Sequence, residues 1–209
     1  MPTPILRQLD LPNCFTLTGL MLSLISVIFA IQNNFYAALI CMIYAGLTDM
    51  LDGVIARQMV RTELQSEVGK QLDSIVDVCS FGFAPAIFAY CFGLQDWLSV
   101  TILIFYVGVN ALRLAYFNST GLTSDAQEEY FTGLPVTYAA LFIPLTFTAS
   151  FFWSDSTMKL VLDGVYLLLA IAMVANFKMI KLRGIWYGIF ALGAIALTGV
   201  YSWAIIMGG

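Results

Sequence analysis

Seven apolar stretches, each close to the roughly 20 helical residues needed to cross a hydrocarbon core of about 30 Å, make up most of this chain. They lie near residues 14–31, 35–56, 71–92, 97–117, 134–152, 158–177 and 185–206. The fifth, sixth and seventh are plain, whereas the second and third are apolar over only part of their length because aspartates sit in their facing ends. With 60% hydrophobic residues, 11% charged residues and a mean hydropathy of +0.88, the chain is far from the composition of a soluble globular protein. The expected fold is an all-α polytopic membrane protein, a bundle of six to seven transmembrane helices forming a single domain over 1–209.

Before the first segment, "PILRQLDLPN" places Ile5, Leu6 and Leu9 at helical spacing with Arg7 and Asp10 between them. That pattern predicts a short amphipathic helix lying in the membrane interface, with an unstructured start as the alternative. No small-x-small cleavage site follows Ala30, so the first segment is expected to stay as a transmembrane helix.

Charge placement orients the bundle. Of nine Lys and Arg residues, Arg7, Arg57, Arg61, Lys70, Arg113, Lys178, Lys181 and Arg183 fall on one side and only Lys159 on the other. The positive-inside rule then puts the amino terminus and the even-to-odd loops in the cytoplasm and the end of the seventh helix outside. A net charge of −4 offers no basic face for a nucleic-acid partner. Cys14, Cys41, Cys79 and Cys91 form no CxxC pair and resemble small buried hydrophobes. The chain has no histidine, which excludes a His base, haem on His and nearly every zinc-hydrolase arrangement.

Against this apolar background, Asp49, Asp52, Asp73 and Asp77 fall within 29 residues. A carboxylate at membrane depth costs about 2.5–3.5 kcal/mol near a helix centre, so four together require compensation. Spacings of three and four put each pair on one helical face, and the intervening loop lets the two faces oppose. Arg57 and Lys70 are near enough to be partners, but two cations cannot neutralise four carboxylates. Two divalent ions can, and an all-oxygen ligand set points to Mg²⁺ or Mn²⁺. Mg²⁺ keeps positions for phosphate oxygens, and paired metals serve phosphoryl chemistry, which suggests a membrane enzyme acting on a diphosphate. The alternative is a cation- or proton-coupled transporter. Transporter acids normally disperse over several helices or repeat halves, and no inverted repeat shows here. Gly53 and Gly69 each accompany an acid pair, where a nucleotide could approach backbone, although taken alone Gly53 and Ala56 are better explained by helix packing through small residues.

The stretches "DMLDGVIAR" and "GKQLDSIVD" resemble the signature of the CDP-alcohol phosphotransferases, Asp-x-x-Asp-Gly-x-x-Ala-Arg followed by Gly-x-x-x-Asp-x-x-x-Asp, with every fixed position present. Eleven residues separate Arg57 from Gly69, longer than the spacer usual in that family. The resemblance implies that Asp49, Asp52, Asp73 and Asp77 hold two divalent ions and that Asp77 also acts as general base. It further implies that Gly53, Ala56 and Gly69 lie against the CDP moiety, with Arg57 near the diphosphate. In "LPNCFTLTGL", Asn13 and Thr16 would face the nucleotide end together with Asp52.

"LDSIVDVCSFGFAPA", "RLAYFN", "YFTGLPVTYAA" and "MVANFKMIK" resemble the serine branch of the family. This implies CDP-diacylglycerol and L-serine as substrates, a bilayer setting in the plasma membrane and a homodimer. Sister acceptors such as glycerol phosphate, inositol phosphate or choline are the alternative, although the chain offers little basic cluster for a phosphorylated one. Arg113 is the candidate for the acceptor carboxylate, or a snorkelling anchor at the end of the fourth helix. Lys70 is a candidate for the acceptor or lipid end. Thr132 and Thr137 could touch the acceptor, with helix capping as the other role for Thr132, and Pro135 is expected in the first turn of the fifth helix.

Overall fold

The computed structural model describes residues 4–120, 123–125, 128–180 and 185–208. Among the described residues, six helical runs are long and apolar enough to cross a membrane: Leu11–Ile31, Phe35–Ala56, Glu63–Phe92, Trp97–Ser119, Asp155–Val174 and Trp186–Ile206. The helices are α1 (Leu11–Ile31), α2 (Phe35–Ala56), α3 (Glu63–Asp77), α4 (Ala84–Phe92), α5 (Trp97–Thr120), α6 (Ala139–Phe147), α7 (Asp155–Val174) and α8 (Ile185–Ile206). Large apolar side chains such as Leu24, Leu98, Leu160, Leu168 and Leu192 are exposed, as expected where the solvent is lipid.

The fifth expected span is shorter than the others. Val136–Phe151 consists of a 3-10 turn (Val136–Tyr138), the nine residues of α6 and a second 3-10 turn (Thr148–Phe151). Pro144 inside α6 withholds one helical N–H. The higher rise of 3-10 turns lets this segment reach roughly 27 Å. Its two ends do touch opposite ends of the bundle. Leu134 N–H donates to Ala172 O at 3.0 Å, at the last turn of α7, while Phe151 stacks on Tyr36 at the first turn of α2, with centroids 5.6 Å apart.

The amphipathic amino-terminal helix reduces to one 3-10 turn, Leu6–Gln8. Asp10 instead caps α1, accepting the Asn13 N–H at 3.1 Å, with Pro12 in the first turn. α1 buries Gly19, Ser23, Ser26 and Ala30, a small-residue stripe at helical spacing that lets backbones approach. Ser26 Oγ donates to Ala38 O of α2 at 2.7 Å, and a Cβ on Gly19 would stand 2.8 Å from Thr48 Oγ1.

Between α3 and α4 the chain widens into a π-helical stretch, Val78–Phe83. The looser winding frees backbone carbonyls, and the Phe81 carbonyl accepts from both Tyr106 Oη and Asn110 Nδ2 of α5. Away from this end, Phe35, Phe88, Phe92 and Phe147 pack edge-on. Tyr166 Oη donates to Pro85 O at 2.5 Å and Tyr201 Oη to Pro144 O. These contacts tie α7 to α4 and α8 to α6.

One small strand element accompanies the all-α bundle. Three short strands, β1 (Thr123–Asp125), β2 (Glu128–Thr132) and β3 (Lys178–Ile180), form an antiparallel sheet in that order, with Phe131 opposite Met179. The sheet joins the α5–α6 and α7–α8 connections. Gly133 follows it at φ +70°, where a Cβ would lie 2.6 Å from Met173 O, so both conformation and space demand glycine. Thr132 is therefore the last residue of β2 rather than a helix cap, and Pro135 stands at the cap position of the next turn, just before its first residue. Lys181 and Arg183 lie outside the described residues.

Candidate active site

The two acid pairs meet. Asp49 and Asp52 sit on the last turns of α2, Asp73 and Asp77 on the last turns of α3, and oxygens of Asp49, Asp52 and Asp73 lie within 4.8 Å of one another. Two oxygens on opposite sides of a shared Mg²⁺ or Mn²⁺ stand at most roughly 4.2 Å apart, from bonds of about 2.1 Å, so a small inward movement of these side chains would let them share a divalent ion. Asp77 approaches Asp49 within hydrogen-bonding range, while its Oδ1 is buried without a partner. Among the described residues no basic side chain forms an ion pair with these four carboxylates. Neither Arg57 nor Lys70 compensates them. Arg57 is exposed beyond the end of α2, and Lys70 turns to α5, where Nζ donates to Asn118 O at 3.3 Å. An oxygen-only acidic cluster in an apolar bundle, without an ion-paired base among the described residues, suits a hard divalent cation.

Thr16 Oγ1 donates to Asp52 Oδ2 at 2.5 Å, which places α1 at the edge of the cluster. Asn13 is more committed. Its Nδ2 donates to Gln8 O at 2.8 Å and its Oδ1 accepts from Arg61 Nη2 at 2.9 Å. Arg61 belongs to the long α2–α3 connection and also reaches Asp10 Oδ2 at 2.6 Å and Gln65 O at 2.9 Å. Gly69 is buried under this hub: a Cβ there would be 2.5 Å from Arg61 Nη2 and 2.7 Å from Asn13 Oδ1. The space over Gly69 is thus filled by Arg61 and Asn13. No local pattern links Asp10 to this hub, although an Asp two residues before a proline is a common helix-start signal.

On the other side of Asp49, a cavity of about 290 Å³ runs between α2, the start of the fifth segment and α8. Asp49, Gly53 and Arg57 line its polar end; Ile43, Ala140 and Leu197 line its apolar depth. Ala56 closes α2 beside it, half-buried. Arg113 is buried at the end of the bundle that holds the acids, near enough to Asp77 to interact through charge. Its Nη2 makes long contacts of 3.5 and 3.4 Å to the Thr132 and Gly133 carbonyls. Arg113 is therefore an inward-facing residue rather than a snorkelling anchor. Asn110, one turn away on the same face of α5, is fully buried. A polar residue three positions before Arg113 in an apolar run follows the same spacing logic that isolates the acid pairs.

A helical membrane bundle that gathers four carboxylates beside a cavity with an apolar depth defines a polytopic membrane protein with a buried acidic cluster of a kind that could hold a divalent ion. The profile of the CDP-alcohol phosphatidyltransferase family matches residues 9–176, and the chain belongs to that family. α8 lies beyond the matched residues.

The chain is 31% identical over 172 residues to a Helicobacter pylori CDP-diacylglycerol--serine O-phosphatidyltransferase, covering 80% of this chain and 70% of the relative. It is 34% identical over 161 residues to an archaetidylserine synthase of Methanothermobacter thermautotrophicus, covering 76% and 66%. With the Saccharomyces cerevisiae CDP-diacylglycerol--serine O-phosphatidyltransferase it shares 42% over 93 residues, 42% of this chain and 33% of that one.

Proposed function

We propose that this chain transfers the phosphatidyl group of CDP-diacylglycerol to L-serine, giving phosphatidylserine and CMP. The observation that carries this is the union of both acid pairs of the family signature at one site, with Arg113 set across from Asp77. The names of the relatives supply serine as the acceptor.

Asp49, Asp52 and Asp73, with Asp77 beside them, would hold the divalent ions. Once bound, Mg²⁺ or Mn²⁺ neutralises the charge of the diphosphate and of the departing CMP. The serine hydroxyl oxygen forms a bond to the phosphorus that carries diacylglycerol. The bond from that phosphorus to the bridging oxygen breaks, CMP keeps the electron pair, and Asp77 takes the hydroxyl proton. With no histidine in the chain, a carboxylate is the available base. Arg113 offers a fork to the serine carboxylate. Gly53 and Ala56 let the nucleotide approach α2, and Arg57 supplies positive charge at the mouth of the cavity, where the diphosphate meets the lipid. The apolar depth of that cavity suits an acyl chain.

The bundle sits in the plasma membrane with the acids toward the cytoplasm, supported by the eight-to-one distribution of basic residues. Residues 1–209 act as one catalytic unit, and a homodimer is the expected assembly. Release of CMP by the purified protein, given CDP-diacylglycerol, Mg²⁺ and a panel of alcohols, tests the proposal. L-serine should give the highest rate, and transfer to glycerol phosphate, inositol phosphate or choline in its place would reassign the acceptor. A protein that carries cations across vesicles but releases no CMP would be a transporter.

A further inference from the structure

Arg113 and Asp77 account for the carboxylate and the hydroxyl of serine, but its α-ammonium has no counterpart among the residues so far assigned. Among the described residues, Asp77 Oδ1, Asn110 Oδ1 and Arg113 Nε are buried without a hydrogen-bond partner, as is Ser80 Oγ, three residues beyond Asp77. Asp77 is 7% exposed, Asn110 0% and Arg113 7%. Buried polar atoms are nearly always paired, so a group of orphans marks a place where a ligand completes the bonding.

The orientation of Asn110 follows from its neighbours. Its Nδ2 donates to Phe81 O at 3.1 Å, on the carbonyl that also takes Tyr106 Oη, so the amide oxygen is the free end. That oxygen stands over Gly82, where a Cβ would come within 3.3 Å of it. The missing side chain at Gly82 is what lets Asn110 pack this closely, with its amide oxygen still in need of a donor. Asn110 and Arg113 are three residues apart on α5 and share its face. An ammonium group carries donors only, and an amide oxygen accepts only.

We propose that Asn110 Oδ1 accepts a hydrogen bond from the α-ammonium of the acceptor. α5 then reads an α-amino acid through two side chains one turn apart, Arg113 for the carboxylate and Asn110 for the ammonium. This rests on the proposed acceptor being an α-amino acid.

The test compares L-serine with 3-hydroxypropanoate, which keeps the carboxylate and hydroxyl but lacks the ammonium, using purified enzyme with CDP-diacylglycerol and Mg²⁺. The wild type should favour L-serine. Asn110→Ala should raise the KM for L-serine by about tenfold or more, as for loss of a hydrogen bond to a charged group. It should leave the KM for CDP-diacylglycerol and the kcat/KM for 3-hydroxypropanoate within about threefold, a change too small to matter on the same scale. Gly82→Ala puts a methyl group against the Asn110 amide oxygen while keeping the amide itself, and should shrink the preference in the same way. If Asn110→Ala does not fold, Gly82→Ala decides. A folded variant that keeps the wild-type preference, or loses both acceptors equally, overturns the assignment while serine transfer by the wild type stands. A wild type that releases CMP but ignores L-serine overturns the acceptor itself and the Asn110 assignment with it.

Discussion

Arg61 grips Asp10 across 51 residues of sequence, Nε to Oδ2 at 2.6 Å, and in doing so ties the α2–α3 connection to the start of α1. The same guanidinium holds the Asn13 amide and covers Gly69, one turn before Thr16 meets Asp52. This end of the acid cluster is therefore built from two segments that a single cation keeps in register.

Loss of that cation should loosen substrate binding more than chemistry. Arg61→Ala is expected to raise the KM for CDP-diacylglycerol by roughly 10- to 100-fold, as for one charge-assisted bond of about 1.5–3 kcal/mol, with a smaller change in kcat. Asp10→Asn keeps a good helix cap but removes the charge, and should show the same pattern more weakly. Steady-state kinetics at saturating serine check both; a normal KM in either folded variant would show the hub to be structural only.

Asp49→Asn, Asp52→Asn and Asp73→Asn should each abolish turnover while the protein remains folded in detergent. Each removes an oxygen from a set already within 4.8 Å, and a buried acid cluster loses repulsion when one member is neutralised. Chelator treatment of the wild type should stop CMP release, with Mg²⁺ or Mn²⁺ restoring it. Full activity in a metal-free preparation would remove divalent ions from the mechanism.

The acid pairs were legible because helical periodicity alone places residues three and four apart on one face, and because carboxylates in an apolar run need a cause. Helix positions followed similarly from length and hydropathy: α2 and α8 keep the expected bounds, and α1 and α5 extend theirs by three residues at one end. Other features depend on long-range partners that periodicity does not encode. The Arg61–Asp10 pair joins two loops, and strands of three to five residues carry too little alternation to be seen. The π-helical stretch after Asp77 is equally silent in "VCSFGF", although it frees the carbonyl that orients Asn110.

The cavity beside Asp49 offers a separate test of the lipid end. Ala194→Trp or Leu197→Trp would place a large ring into its apolar depth, on a helix outside the residues that match the family profile. Turnover of long-chain CDP-diacylglycerol should fall by about tenfold, the order of a displaced apolar contact worth 1–3 kcal/mol, while a short-chain analogue is spared. Equal loss with both lipids, or none with either, would place the acyl chain elsewhere.

Topology follows from charge. A reporter inserted at residues 153–154, in the turn before α7, should read as non-cytoplasmic, and one in the 57–62 connection as cytoplasmic. Opposite readouts would put the acids on the wrong side for a cytoplasmic nucleotide.

Asp77 is adjacent to Asp49 yet keeps Oδ1 unpartnered and faces the charge of Arg113, so it can serve the incoming hydroxyl as well as an ion. A base matters in the transition state rather than in binding. Asp77→Asn should therefore lower kcat by roughly 10²–10⁴-fold while sparing the affinity for CDP-diacylglycerol. Asp49→Asn should weaken metal affinity together with rate, because it removes a ligand oxygen. Metal titrations on both variants, with lipid-nucleotide binding measured apart from turnover at saturating serine, separate the two roles. If excess Mg²⁺ restores Asp77→Asn, or if its kcat is near normal, Asp77 is a ligand only and the proton must pass to another group.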